Sequence, residues 1–158
     1  MPISTISDAR AVTYPGAVLQ VVNATYNTSS ATTSATFVTT GFTATITPKF
    51  ATSKILLLSR TPYRSYVSSG TSTLGACSWY RGGSAIQTTA IYENGGGTSN
   101  ATGVDFRGIT TQMVVDSPAT TSAVTYTLYY ATTAGTTSFT ICDGGVFYAD
   151  VILMEIAQ

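Results

Sequence analysis

Asp116-Ser117-Pro118-Ala119-Thr120-Thr121-Ser122-Ala123-Val124-Thr125-Tyr126-Thr127-Leu128-Tyr129-Tyr130 is the stretch that decides the fold class. Its first half is a turn. Asp116 and Ser117 can cap their own backbone, and Pro118 fixes φ and donates nothing to a ladder. Its second half alternates. Val124, Tyr126, Leu128 and Tyr130 fall on one face, and Thr125, Thr127 and Tyr129 on the other. A period of two is the mark of a β-strand with one buried face. The spacing therefore predicts Tyr126 in the core and Tyr129 on the far face, at a subunit contact.

The composition extends this reading to the whole chain. Thr and Ser make up about three residues in ten, there are 10 Tyr, and only 9% of the 158 residues are charged. β-branched and aromatic residues favour strands, and the residues that favour helices are scarce. A chain of this length is expected to form one domain and to bury roughly two-thirds of its surface. The formal net charge is zero and no basic run occurs, which excludes nucleic-acid binding by phosphate neutralisation. Histidine is absent, so zinc sites and histidine-based catalysis are not expected, and no cofactor is implied. No apolar run approaches the roughly 20 residues of a membrane helix, and the first residues lack the pattern of a signal peptide. Cys77 and Cys142 are therefore read as buried free thiols. So few charges and a mean hydropathy of +0.23 imply an outer surface partly covered by other subunits.

Outward from the anchor stretch, about ten strands are expected. Ala17–Val22 is the first, followed by a polar loop through Asn23–Ser34. Ala35–Thr40 and Phe42–Thr47 meet at Gly41 as a bent strand or a corner. Ile55 to Leu58 is a continuous apolar run, the pattern of a strand buried on both faces. That strand continues as far as Tyr66, before a Ser/Gly-rich loop within Thr61–Gly75. Gly82-Gly83 predicts a hairpin between Ala76–Arg81 and Ile86–Thr89. Tyr92–Gly108 reads as a long irregular loop. Ile109–Val115, Val124–Ala131, Thr137–Cys142 and Val151–Ile156 complete the set. The expectation is an all-β antiparallel β-sandwich, jelly-roll-like, formed by residues 17–158 behind an extended arm at residues 1–16.

The candidate chemistry is limited. Glu93 and Asp105 share the predicted long loop and are the one carboxylate pair worth naming for acid/base work. Without histidine or a nucleophile elbow, no catalytic residue is assigned. Asp116 and Asp143 sit in turns, where bonds to backbone N–H groups suffice. Tyr63, Arg64, Tyr66, Tyr92, Glu93, Asp105, Phe106 and Arg107 are the candidate exposed binding residues, because Tyr and Arg dominate interface energetics. In the arm, Ile3, Ile6, Val12, Tyr14 and Pro15 are the candidate attachment residues. Trp79-Tyr80 reads as core and edge packing. The three Asn-X-Ser/Thr matches read as coincidence in so hydroxyl-rich a chain.

The pattern Pro15-Gly16-Ala17-Val18-Leu19-Gln20-Val21-Val22, then Thr39-Thr40-Gly41-Phe42-Thr43-Ala44-Thr45-Ile46-Thr47-Pro48 and Ser53-Lys54-Ile55-Leu56-Leu57, continues through Asp116-Ser117-Pro118-Ala119-Thr120-Thr121 to Leu153-Met154-Glu155-Ile156. It resembles small virion structural proteins of tailed bacteriophages over about residues 15–158. The resemblance implies a trimeric β-sandwich in the virion, assembled in the host cytoplasm. It carries over no binding residue, and residues 61–108 depart from the pattern. The leading expectation is a non-enzymatic protein that decorates or cements the capsid surface as a homotrimer, of the head-fibre or cement type. Its expected partners are further copies of itself and the major capsid protein or another virion protein. The alternative is a tail-fibre-tip module gripping host-surface glycans through loops 61–75 and 92–108, whose Gly/Ser/Tyr content is adaptable.

Overall fold

In the computed structural model, the described residues are 14–67, 72–87, 91–96, 104–132, 137–145 and 147–158. They contain eleven strands and no α-helix. The strands are β1 (Val18–Tyr26), β2 (Ser30–Thr32), β3 (Val38–Ile46), β4 (Lys54–Val67), β5 (Ser72–Arg81), β6 (Ser84–Ala85), β7 (Ile91–Gly96), β8 (Val104–Asp116), β9 (Val124–Thr132), β10 (Thr137–Ile141) and β11 (Ala149–Ile156). A single 3-10 turn, Asp143–Gly145, lies between β10 and β11.

The strands form two antiparallel sheets. In the first, β4 is the spine. One of its edges pairs with β8 along its whole length, from Ile55↔Asp116 to Val67↔Val104. Its other edge pairs with β11 over Lys54–Arg60 and then with β10 over Tyr63–Val67. β1 flanks β11 and β2 flanks β10. The second sheet runs β3-β9-β5, with β6 and β7 on the free edge of β5. Four pairings nest in sequence, β5 with β7, β4 with β8, β3 with β9 and β1 with β11. A chain paired this way is one long hairpin rolled into a sandwich, the jelly roll.

Alternation decides what lies between the sheets. Val124, Tyr126, Leu128 and Tyr130 all point inward and are buried, as the anchor stretch predicts. They meet Phe42, Ile46, Ile55, Leu57, Trp79, Phe139, Ile141 and Leu153 in one continuous core. Trp79 is fully buried, its Nε1–H donating to Ser59 Oγ of the opposite sheet at 2.9 Å, and Phe42 meets its ring edge-on at 5.4 Å. The sheets approach so closely at Gly75 that a Cβ there would lie 1.9 Å from the Phe139 ring. Both cysteines are buried thiols.

Several boundaries differ from the sequence reading. The polar loop at Asn23–Ser34 is shorter than expected, because β1 continues to Tyr26 and β2 occupies Ser30–Thr32. At Gly41 the chain bends without ending, as one strand with a bulge. Gly41 has φ 84, and the register jumps between Thr39 and Thr43. Tyr26 Oη donates to Thr40 O at 2.7 Å beside the bulge. The turn at Gly82-Gly83 is present, with both glycines at positive φ (57 and 81), as a tight primed turn requires, but the returning strand is Ser84–Ala85 and not the expected Ile86–Thr89. The described residues of the expected loop Tyr92–Gly108 are strand. β7 pairs with β5 through Cys77↔Ile91 to Ser72↔Gly96, and β8 starts at Val104. β7 has weak intrinsic strand preference, and the open edge of β5 supplies the partner that overrides it.

Glu155 shows how the last strand is anchored. Its side chain is inward and fully buried. The carboxylate accepts from Gln20 Nε2 at 2.6 Å and from the Lys49 and Phe50 amides at 2.7 and 3.2 Å. Burial alone raises its pKa, and these hydrogen bonds outweigh burial and hold the pKa below the usual value. A depressed folded pKa contributes stability that is complete above about pH 4.3, the unfolded glutamate value, and is lost as pH falls through the folded value. Glu155→Gln is expected to destabilise by about 1–3 kcal/mol at pH 7. The gap between its urea midpoint and that of the parent is expected to narrow as pH is lowered from 6 toward 3. A gap that stays constant over that range would contradict an ionised buried carboxylate.

Candidate functional site

The two outer faces of the sandwich differ in chemistry. On the second sheet, the accessible outward positions include Thr39, Thr43 and Thr45 of β3, Thr125, Thr127 and Tyr129 of β9, and Tyr80 of β5, while Ala76, Ser78 and Ala131 on the same side are buried. This is a layer of hydroxyl groups, with Thr45 and Thr125 hydrogen-bonded at 2.8 Å. Tyr129, expected at a subunit contact, stacks on Tyr80 of its own chain at 4.1 Å.

The outer face of the first sheet is apolar at one end. Cross-strand register places Val115, Leu56, Met154 and Val21 in one row, and Met113, Leu58, Ile152 and Asn23 in the next. Met113 is 74% exposed, and Val115 and Val21 are 55% and 57% exposed. The run Ile55–Leu58 was expected to be buried on both faces. Ile55 and Leu57 are fully buried, whereas Leu56 and Leu58 lie on this outer face and are only partly covered. The second layer implied by the sequence is not supplied by the described residues of this chain.

Farther along the same face the rows become charged and aromatic. Arg60 pairs with Asp150 at 2.7 Å. Arg64 makes a two-pronged bond to Asp105 at 2.9 and 3.0 Å, and this bond, opposed by partial burial, holds the Asp105 pKa below the ordinary carboxylate range. Arg107 reaches Asp143 at 3.3 Å and Asp105 at 3.5 Å. Arg64 also lies over the Tyr66 ring at 5.3 Å, and Arg60 over the Tyr148 ring at 5.2 Å. Of the eight candidate exposed binding residues, Arg64 and Tyr66 of β4 lie opposite Arg107 and Asp105 of β8 on this face.

Other expected site residues fall elsewhere. Tyr63 is buried, stacked on Phe139 at 5.3 Å. It shares parity with Ile55 and Leu57 on β4 and so faces the core. Phe106 lies near the rim against the Tyr63 ring at 6.1 Å, partly exposed. Tyr92 and Glu93 belong to β7, opposite Ala76 and Gly75 in the second sheet. Glu93 and Asp105 are therefore on strands of different sheets and share no loop, and Asp105 is engaged by arginines. Asp116 does more than cap a turn, since its carboxylate accepts from Arg81 Nε at 2.7 Å and from Tyr126 Oη at 2.9 Å. Of the arm, Ile3, Ile6 and Val12 lie outside the described residues. Tyr14 is exposed, and Pro15 lies in a turn closed by Ala17 N–H to Tyr14 O at 3.0 Å. Gly16 N–H then donates to Ala157 O at 2.8 Å, tying the end of the arm to the C-terminal segment.

The residues missed by the sequence reading are Phe147 and Tyr148, both about half exposed. They stand beside β4 where its partner changes from β10 to β11. Pro62, at that junction, has no N–H to offer, and its carbonyl accepts from Cys142 N–H at 3.0 Å. Cys142 takes φ 52 and Gly144 φ 72, turning the connection out of the sheet plane. The Asp143-Gly144-Gly145 turn signal just before two aromatics was the available clue. Between this connection and β8 lies an open cleft of about 330 Å³, lined by Arg60, Pro62, Tyr63, Arg107, Gly108, Ile109, Asp143, Phe147 and Tyr148.

No family model matches the chain, and no curated protein does. Among solved structures it is similar to VP2 of infectious bursal disease virus. The VP2 subviral particle gives a TM-score of 0.42 at 14% identity, covering 100% of this chain and 42% of that chain. The Gx strain gives 0.41 at 16% identity, covering 99% and 43%, and the T13 viral particle gives 0.43 at 16%, covering 100% and 40%. The chain spans about two fifths of the length of those proteins, and a likeness this distant carries no functional argument.

Proposed function

We propose that this chain is a non-enzymatic structural subunit of a bacteriophage virion. It assembles as a homotrimer through the apolar outer face of its first sheet. It decorates the capsid surface, with residues 1–16 lying along the major capsid protein or a neighbouring subunit. The observation that carries the reading is the two-row apolar face of β8, β4, β11 and β1, set against the hydroxyl-covered face on the other side. A soluble sandwich with one polar outer face and one apolar outer face has an interaction surface on the apolar side. The sequence resemblance to phage virion proteins supports the same assignment.

Capsids assembled without this protein provide the test. The full chain is expected to co-sediment with them, and a chain lacking residues 1–16 is expected to stay in the supernatant. Equal binding by the two chains would remove the arm from the mechanism. Failure of the full chain to bind would remove the capsid as its location.

A further inference from the structure

We infer that the cleft between β8 and the Cys142–Tyr148 connection is a binding site for a short neutral saccharide. This inference does not rest on the assembly proposed above, which uses the neighbouring rows of the same sheet face. Three observations lead to it.

The first is that the cleft is built by local distortion. Cys142 is one of two non-glycine residues with positive φ among the described residues, and such a conformation costs about 1–3 kcal/mol. Asp143, Phe147 and Tyr148 line the cleft together with Arg107 and Ile109. The cavity, about 330 Å³, is at the lower end of the range for small-molecule sites.

The second is the balance of charge. Arg60 is neutralised by Asp150, and Arg64 and Arg107 together by Asp105 and Asp143. The field in the cleft therefore favours neither an anion nor a cation. The guanidinium of Arg107 and the carboxylate of Asp143 still offer a planar donor beside a planar acceptor. Such a pair fits vicinal hydroxyl groups, which donate and accept at once.

The third is the exposure of Phe147 and Tyr148 to 52% and 53%. The Tyr148 ring is held by Arg60 at 5.2 Å, so it is presented already oriented. An aromatic face is electron-rich, and the C–H face of a pyranose ring is its complement. A ligand that joins an apolar C–H face to a rim of neutral hydroxyls is a sugar ring.

The test uses the full chain and saturation-transfer NMR with the methyl glycosides of glucose, galactose and mannose and with N-acetylglucosamine. Glucuronic acid serves as the charged arm. At least one neutral glycoside is expected to bind saturably in the millimolar range, with the strongest transfer at its ring C–H protons. Tyr148→Ala and Asp143→Asn are each expected to weaken that binding at least tenfold. Phe147→Ala serves as a second wall variant, and an unchanged thermal midpoint in each case confirms folding. The site is overturned if no neutral glycoside binds, or if binding survives all three substitutions. Binding by glucuronic acid alone would overturn the neutral-ligand assignment.

Discussion

Tyr126→Ala is expected to lower the unfolding free energy by about 3–5 kcal/mol, the range for truncating a fully buried aromatic. The ring is completely buried between the sheets, so its removal leaves a cavity that the surrounding strands close only in part. The phenol adds a second effect. It donates to Asp116 Oδ2 at 2.9 Å, and Asp116 also holds Arg81 at 2.7 Å. Burial first, and then the bond to Asp116, push the phenol pKa up. Tyr126→Phe keeps the ring and loses only that bond, and about 1 kcal/mol is expected. Urea midpoints of the two variants separate the contributions. Equal losses would show that the hydrogen bond and not the packing dominates at this position.

Met113→Lys is expected to convert the proposed trimer to monomers while leaving the folded chain intact. In the single chain Met113 is 74% exposed, and exposed substitutions change stability by about 0.5 kcal/mol or less. In the proposed interface the same position lies beside Leu58 in register, with Ile152 next across β11. An unpaired ammonium there, removed from water, costs several kcal/mol at each contact. The matched control is Thr43→Lys on the hydroxyl-covered face, which is expected to leave the mass unchanged. Sedimentation velocity distinguishes the outcomes. A trimer that survives Met113→Lys, or dissociates with Thr43→Lys, would place the interface elsewhere.

The parts of this structure that were legible in sequence are those where one residue type repeats with period two. Val124-Thr125-Tyr126-Thr127-Leu128 admits one inward face, and the fold uses it. The same counting along β4, from Ile55 and Leu57 to Ser59, Thr61 and Tyr63, places Tyr63 inside, and reading it as an exposed aromatic ignored that parity. β7 was hidden because Asn94, Gly95 and Gly96 carry no strand signal, and their pairing is imposed by the edge of β5. The charged surface was half legible. Arg64, Asp105 and Arg107 stand out in a chain with 14 charged residues, 7 of each sign. Asp143 joins them only because β10 and β11 share one edge of β4, a long-range fact that no local pattern records. The apolar run Ile55–Leu58 is informative in a different way, since its expected two-sided burial is met on one side by the described residues, and the proposed assembly would cover the other.

The mass of the purified full chain in solution, measured by sedimentation equilibrium across a concentration series, tests the proposed assembly most directly. Three times the 16.5 kDa chain mass is the expected result. A species of 16.5 kDa at every concentration up to the solubility limit would contradict a self-assembling apolar face.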